Sequence, residues 1–175
     1  MKNIFMKTTG ATALGILMLT FCATIWMFAQ NKTDEQSQED SYQRNNNANL
    51  LVGSWNVKIT IRDCQSGMAF VSFPAMMTFN QGGTMQETAN DRTPLLRLPG
   101  HGIWSYQGNR TFSRAFQFFR YNADGSYSGR NRIRGPIEVN RSGNSYTSTT
   151  SFEVLDPNDN VLDSGCATEV GTRFK

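Results

Sequence analysis

The sequence has little of what most catalytic and metal sites require. Its 175 residues include one histidine and three cysteines, and they contain neither a G-x-S-x-G motif nor a phosphate-binding glycine loop. The histidine, His101, has no second histidine with which to form a metal site. The stretch DPNDNVLD, residues 156–163, lacks the glycine and the closing glutamate of a calcium loop, so we interpret it as a hairpin turn. We therefore predict no catalytic residues, no metal and no cofactor, and the residues favour a non-catalytic protein.

Charge of one sign is also scarce. Seventeen basic and 14 acidic residues give a formal net charge of +3, and the basic residues are scattered except for the run RNRIR at residues 130–134. A nucleic-acid interface needs a concentrated basic face, so we predict no nucleic-acid partner. Arg130, Arg132 and Arg134 would share one face of a strand. We interpret them as a solvated sheet face rather than a surface for an anionic polymer or a membrane.

Long hydrophobic runs are confined to the N-terminus. Lys2 and Lys7 precede an uncharged apolar run over residues 11–29, which is the pattern of a secretory signal. The run is also about long enough to span a bilayer. We therefore predict that residues 1–29 are a signal peptide or an N-terminal anchor. The protein would be secreted or periplasmic, or alternatively held at a membrane by residues 11–29, and no other membrane contact is expected.

Two parts follow this N-terminal segment. Residues 30–49 hold almost nothing apolar and are predicted to be a disordered linker. Residues 50–175 lack a helical period, and short alternating or aromatic-rich runs recur there between turns rich in Gly, Asn and Asp. We predict eight strands, at residues 54–63, 69–79, 84–90, 101–107, 111–122, 126–139, 144–155 and 164–174. Most connections are short, so neighbouring strands would pair antiparallel as a meander.

The two cysteines in the predicted strand region indicate how the meander closes. Two cysteines in an exported domain most often pair, so we predict a Cys64–Cys166 disulfide. Cys64 ends the first strand and Cys166 begins the eighth, and pairing them directly places Val57 opposite Arg173. The predicted fold class is therefore all-β, an eight-stranded antiparallel up-and-down β-barrel formed by residues 50–175.

A turn in the last hairpin predicts which residues face the interior. A two-residue turn at residues 159–160 would set Tyr146 opposite Arg173. Both routes turn the same side of the last strand inward, with Glu169 and Arg173 among the inward residues. The rest of the predicted lining is largely apolar and comprises Phe73, Met77, Trp104, Phe112, Phe116, Phe118, Ile133, Phe152 and Val154.

Three features together resemble a known group of barrels. They are Gly53-Ser54-Trp55 at the opening of the first strand, the eight-strand meander, and Arg173 near the end of the last strand. This combination resembles the lipocalin and wider calycin group, and more specifically the uncharacterised bacterial exported lipocalin-like proteins. The resemblance implies that Trp55 packs across the closed end of the barrel and that Arg173 lies over it in a cation–π contact.

A cup of this kind predicts a non-catalytic protein that binds a small apolar or amphipathic molecule. Arg114 would suit a ligand that bears a carboxylate, or it would form an internal salt bridge with Glu87 or Glu169. Two other classes stay open: an extracytoplasmic interaction or inhibitor module with a filled barrel, and a small isomerase or cyclase using Glu87, Glu169 or Arg114. No pattern predicts an oligomeric state. The candidate ligand-binding residues are Trp55, Phe73, Arg114, Phe116, Phe118, Glu169 and Arg173.

Overall fold

The computed structural model describes residues 46–91 and 96–175, and in them eight strands form a closed barrel. Residues 46–48 are helical and lead into a short 3-10 helix, Asn49–Leu51. Every strand pairs antiparallel with the next, and the last pairs with the first. The strands are β1 (Gly53–Arg62), β2 (Ala69–Phe79), β3 (Thr84–Ala89), β4 (Gly100–Gly108), β5 (Thr111–Tyr121), β6 (Tyr127–Val139), β7 (Ser145–Leu155) and β8 (Val161–Arg173).

The predicted all-β, eight-stranded antiparallel up-and-down barrel is confirmed. Alternation of buried and exposed side chains along most strands explains why the sequence forms them, as in the buried phenylalanines of β5 at 112, 116 and 118. The predicted signal or anchor over residues 1–29 and the linker up to residue 45 lie outside the described residues.

The predicted disulfide is present, but its place in the register differs from the prediction. Cys64 and Cys166 are bonded with their Cα atoms 5.3 Å apart, within the range that a disulfide requires. However, Cys64 lies beyond the end of β1, in the turn to β2, and the residue paired with Cys166 across the two strands is Arg62. The prediction that the two cysteines face each other directly is therefore wrong, because a disulfide also bridges residues that are not strand partners.

The predicted two-residue turn at residues 159–160 is also wrong. The chain turns at Pro157 and Asn158, where the N–H of Asp159 donates to the carbonyl of Asp156 at 3.1 Å. Proline favours this position because its fixed φ suits the second residue of a type I turn. Asp159 follows with a φ of 68°, and a bulge at the end of β7 adds a further register shift.

Both errors amount to a slip of two residues, which leaves every side chain on its predicted face. Arg173 consequently lies opposite Trp55 on β1 rather than opposite Val57, and Tyr146 on β7 faces Gly171. The inner side of β8 is the predicted one, since Glu169 and Gly171 are buried there.

The two ends of the barrel differ in their packing. We call the end with the β1–β2, β3–β4, β5–β6 and β7–β8 connections the mouth, and the opposite end, where β1 begins, the floor. The floor half is filled by rings in edge-to-face or near-perpendicular contact, with centroids 5.0–6.4 Å apart. Each such contact adds about 0.5–1.5 kcal/mol beyond the area it buries. The rings belong to Trp55, Phe79, Trp104, Phe112 and Tyr146.

Candidate ligand-binding site

Above the packed floor, the interior of the barrel contains a cavity of about 220 Å³. Its apolar wall comes from alternate, inward-facing positions of six strands, because a period of two places every second side chain on this face. The apolar residues that line it are Ile59, Ile61, Phe73, Phe116, Phe118, Ile133, Phe152 and Ala167. Its polar lining is Glu87, Asp91, Arg97, Asn131, Thr150 and Glu169.

The cavity adjoins a wider groove at the mouth. That groove has a volume of about 770 Å³ and shares Asp91, Arg97, Phe118 and Asn131 with the cavity. These four residues therefore stand between the outside of the barrel and its interior. A molecule that enters from the mouth meets them first.

Glu87 and Arg97 form a buried ion pair at the mouth side of the cavity. Their side chains are 1% and 7% exposed. The carboxylate of Asp91 lies 3.3 Å from the guanidinium of Arg97 as well. The guanidinium carbon of Arg97 lies 3.5 Å from the centroid of the Phe118 ring. Burial raises the pKa of Glu87 above its ordinary value, and the charge of Arg97 opposes part of that rise.

Gly100 on β4 provides the space for this pair. It lies opposite Glu87 in the register, and a Cβ at this position would lie 2.9 Å from the Phe116 ring and 3.0 Å from a carboxylate oxygen of Glu87. Only glycine therefore fits between the carboxylate and the ring without moving either one.

Arg114 and Glu169 form a second ion pair, deeper in the barrel. Both side chains are almost fully buried, and Arg114 also donates to the sulfur of Met77 at 2.8 Å. Burial alone would lower the pKa of Arg114, but its electrostatic neighbours Glu169, Tyr146 and Glu87 together outweigh that effect, so its pKa lies above the ordinary value. The expected salt bridge of Arg114 is thus the one with Glu169.

Trp55 and Arg173 form the floor and do not line the cavity. The guanidinium carbon of Arg173 lies 4.3 Å from the centroid of the Trp55 ring, and the ring nitrogen donates to the carbonyl of Leu51 at 2.9 Å. Burial lowers the pKa of Arg173 below its ordinary value. Of the predicted ligand-binding residues, the structure brings Phe73, Phe116, Phe118 and Glu169 to the cavity.

The arginine run on β6 is matched by acidic side chains. Arg130 bonds to Asp159 at 2.7 Å, and Arg132 bonds to Glu153 at 2.8 Å. Arg134 lies 3.8 Å from the same carboxylate of Glu153. This surface is therefore a largely neutralised sheet face.

Sequence reasoning missed Arg97 and Asn131 as cavity residues. Arg97 belongs to the long β3–β4 connection, which has no period from which a side-chain direction could be inferred. Asn131 lies two residues before the inward Ile133, so the alternation of β6 contained the signal for it. Its place inside the arginine run obscured that signal.

No protein-family model matches the sequence, and no curated protein is significantly similar to it. Within residues 46–91 and 96–175, no helix is long and apolar enough to cross a membrane. The same residues contain no cluster of three or more His, Cys, Asp and Glu side chains that could hold a metal ion.

Proposed function

We propose that this protein is an exported, lipocalin-like barrel that binds a small amphipathic molecule in the cavity between floor and mouth. The cavity of about 220 Å³ is the observation that carries the proposal. Protein interiors are close-packed, and voids larger than a water molecule are few. A void of this size, next to a floor that is densely packed with rings, is space for a ligand.

The size and lining of the cavity define the class of ligand. Its volume of about 220 Å³ corresponds to roughly seven water molecules in the liquid. The ligand is therefore smaller than the drug-sized molecules that occupy pockets of roughly 300–1,000 Å³. Phe73 and Phe116 offer apolar surface, whereas Glu87 and Glu169 place polar atoms on the same lining. A molecule with one apolar and one polar end matches both.

Two features support the lipocalin-like identity and the export that the proposal includes. The contact between Trp55 and Arg173 at the floor is the one that the resemblance to lipocalins implies. The Cys64–Cys166 disulfide supports export, because disulfides form and persist in oxidising compartments.

The packing of the barrel also bears on the other candidate functions. An interaction module with a filled barrel would match the packed floor half, but it does not account for the cavity above it. An isomerase or cyclase would need an acid or base that is free to move a proton. Glu87, Glu169 and Arg114 are instead held in ion pairs. Ligand binding is the function that uses the cavity.

Native mass spectrometry of the full chain, purified without detergent, tests the proposal. We expect an additional mass that disappears on denaturation, or a complex with phenethyl alcohol when that probe is added at millimolar concentration. Ala167→Leu fills the cavity from β8 and should abolish the complex, whereas Thr149→Leu, on the exposed outer face of β7, should retain it. A spectrum with neither a co-purified mass nor a complex would contradict the proposal.

A further inference from the structure

We infer that the polar end of the ligand is a cation, an ammonium or guanidinium group, rather than a carboxylate. This inference rests on the proposed ligand-binding function of the cavity and adds the charge of the molecule that it takes.

The interior already binds cations in one repeated way. The guanidinium of Arg97 is held by the carboxylate of Glu87 and lies over the Phe118 ring at 3.5 Å. The guanidinium of Arg114 is held by Glu169 and lies 5.4 Å from the centroid of another phenylalanine ring of β5. A carboxylate combined with an aromatic face is a favourable site for a cation, because both present negative charge to it.

Arg97 reaches its site from a segment that is not part of the barrel wall. It lies in the β3–β4 connection, where one isolated bridge joins it to Arg120 and the N–H of Leu98 donates to the carbonyl of Phe119 at 3.1 Å. The carboxylate and the ring that hold it belong to β3 and β5, so they stay in place if Arg97 withdraws. An ammonium group that enters from the mouth would meet the same two partners.

The rest of the polar lining offers acceptors. Glu87 and Glu169 both line the cavity, and the side-chain oxygen of Asn131 is buried with no hydrogen-bond partner among the described residues. The hydroxyl of Thr150 donates to a carbonyl of β8 at 3.4 Å, which leaves its lone pairs to accept. The lining holds three carboxylates, of Glu87, Asp91 and Glu169, but one guanidinium, that of Arg97. A carboxylate ligand would therefore meet an excess of negative charge and be repelled.

Three probes with the same ring and different polar ends test the inference. Phenethylamine, phenethyl alcohol and phenylacetate are titrated into the wild-type protein at neutral pH by isothermal calorimetry. We expect the amine to bind about tenfold more tightly than the alcohol, and phenylacetate to bind most weakly. An alcohol that binds as tightly as the amine, or a carboxylate that binds most tightly, overturns the cationic inference but leaves the cavity a ligand site. If none of the three binds, the proposed function fails and this inference fails with it.

A pair of arginine variants tests the place at which the cation binds. Arg97→Ala removes the resident guanidinium and should raise the affinity for phenethylamine several-fold while leaving phenylacetate weak. Arg120→Ala removes a nearby arginine whose guanidinium donates to the carbonyl of Leu155 at 3.1 Å, and it should change neither affinity. A lower affinity of Arg97→Ala for the amine would overturn the assigned place. The ranking of probes by the wild type decides the charge of the ligand even if Arg97→Ala does not fold.

Discussion

Arg173 joins Trp55 to the backbone of two other segments at the floor of the barrel. Its guanidinium lies over the Trp55 ring, and its three nitrogens donate to the carbonyls of Leu50, Val52 and Gly143 at 2.6–2.8 Å. One side chain of β8 thus fixes the segment before β1 and the β6–β7 hairpin at once.

Arg173→Lys should destabilise the barrel. A lysine keeps the positive charge but cannot direct three donors to three separate carbonyls while it lies flat on a ring. We expect a loss of about 1–3 kcal/mol in the free energy of unfolding, measured by urea denaturation. Arg141→Lys, in the exposed β6–β7 turn, is the matched control and should unfold like the wild type. Equal midpoints for the two variants would show that the floor does not depend on the guanidinium.

Gly53→Ala should be more destabilising than an ordinary glycine substitution. Gly53 has a φ of 123°, and an added Cβ would lie 2.8 Å from Nη1 of Arg173. Gly125 also has a positive φ, of 83°, but a Cβ there would meet nothing within 4 Å. Gly125→Ala should therefore lose only the backbone cost of about 1–2 kcal/mol in the free energy of unfolding. Thermal unfolding should give Gly53→Ala a clearly lower melting temperature than Gly125→Ala. Similar melting temperatures would contradict this role of the first glycine in Gly53-Ser54-Trp55.

Arg114 and Glu169 should behave as a coupled pair. Arg114→Met or Glu169→Leu alone leaves one buried charge without a partner, and each should cost about 3–5 kcal/mol. The double variant should lose much less free energy of unfolding than the two single variants added together, because it removes both charges. A double-mutant cycle by urea unfolding measures the coupling. The exposed pair is the control: Arg130→Met and Asp159→Asn should couple by less than about 1 kcal/mol. Additive effects at Arg114 and Glu169 would refute the buried pairing.

The disulfide should stabilise the barrel without being needed to close it. Cys64 and Cys166 are separated by 102 residues, and a crosslink over a loop of that length is worth about 2–5 kcal/mol. The paired residues of β1 and β8 run from Trp55–Arg173 to Arg62–Cys166, so backbone hydrogen bonds hold the seam independently. A variant with both cysteines changed to serine should keep the far-ultraviolet circular dichroism of the wild type but unfold at lower urea. Unlike the wild type, it should not respond to reductant. A double variant as stable as the oxidised wild type would contradict the prediction.

Three turns at the mouth should make stability depend on pH on the acid side. Asp63, Asp124 and Asp156 accept hydrogen bonds within their own turns, chiefly from Ser66, Ser126 and Asn160, respectively. These bonds hold the pKa of each aspartate below its ordinary value of 3.8.

The sign of the effect follows from linkage. A carboxyl group with a depressed pKa in the folded state stabilises the fold above its unfolded pKa, and that stabilisation is lost as the pH falls through the folded pKa. We expect urea midpoints to decline below about pH 4 and Asp156→Asn to flatten that decline. Glu138→Gln, on the exposed outer face of β6, removes the same charge as a control. An unchanged pH dependence in Asp156→Asn would contradict the assignment.

The sequence could predict the strands and their faces but not the register. Turn residues and alternation located all eight strands, with the largest difference at β8, which begins at Val161 rather than at residue 164. Alternation has a period of two, so it cannot distinguish two registers that differ by two residues. That slip placed Arg173 beside Val57 instead of Trp55 in the prediction.

The site was predictable to the extent that it lies on strands. Phe73, Phe116 and Phe118 followed from alternation, and the position of Glu169 followed from the face of β8. Arg97 did not, because the direction of a side chain in an irregular connection depends on tertiary contacts that no local pattern encodes. The residue that fills the cation site was therefore visible only in the folded chain.

The uneven packing along the barrel axis has a consequence for how such a protein can change. The rings and the Arg173 hydrogen bonds hold the chain together at the floor, and several side chains around the cavity, including Ile61, Phe73 and Phe152, are only partly buried. Substitutions at these three positions therefore alter the shape of the cavity while leaving the contacts of the floor in place. New binding preferences can arise on this barrel through a few side-chain replacements, with the floor conserved.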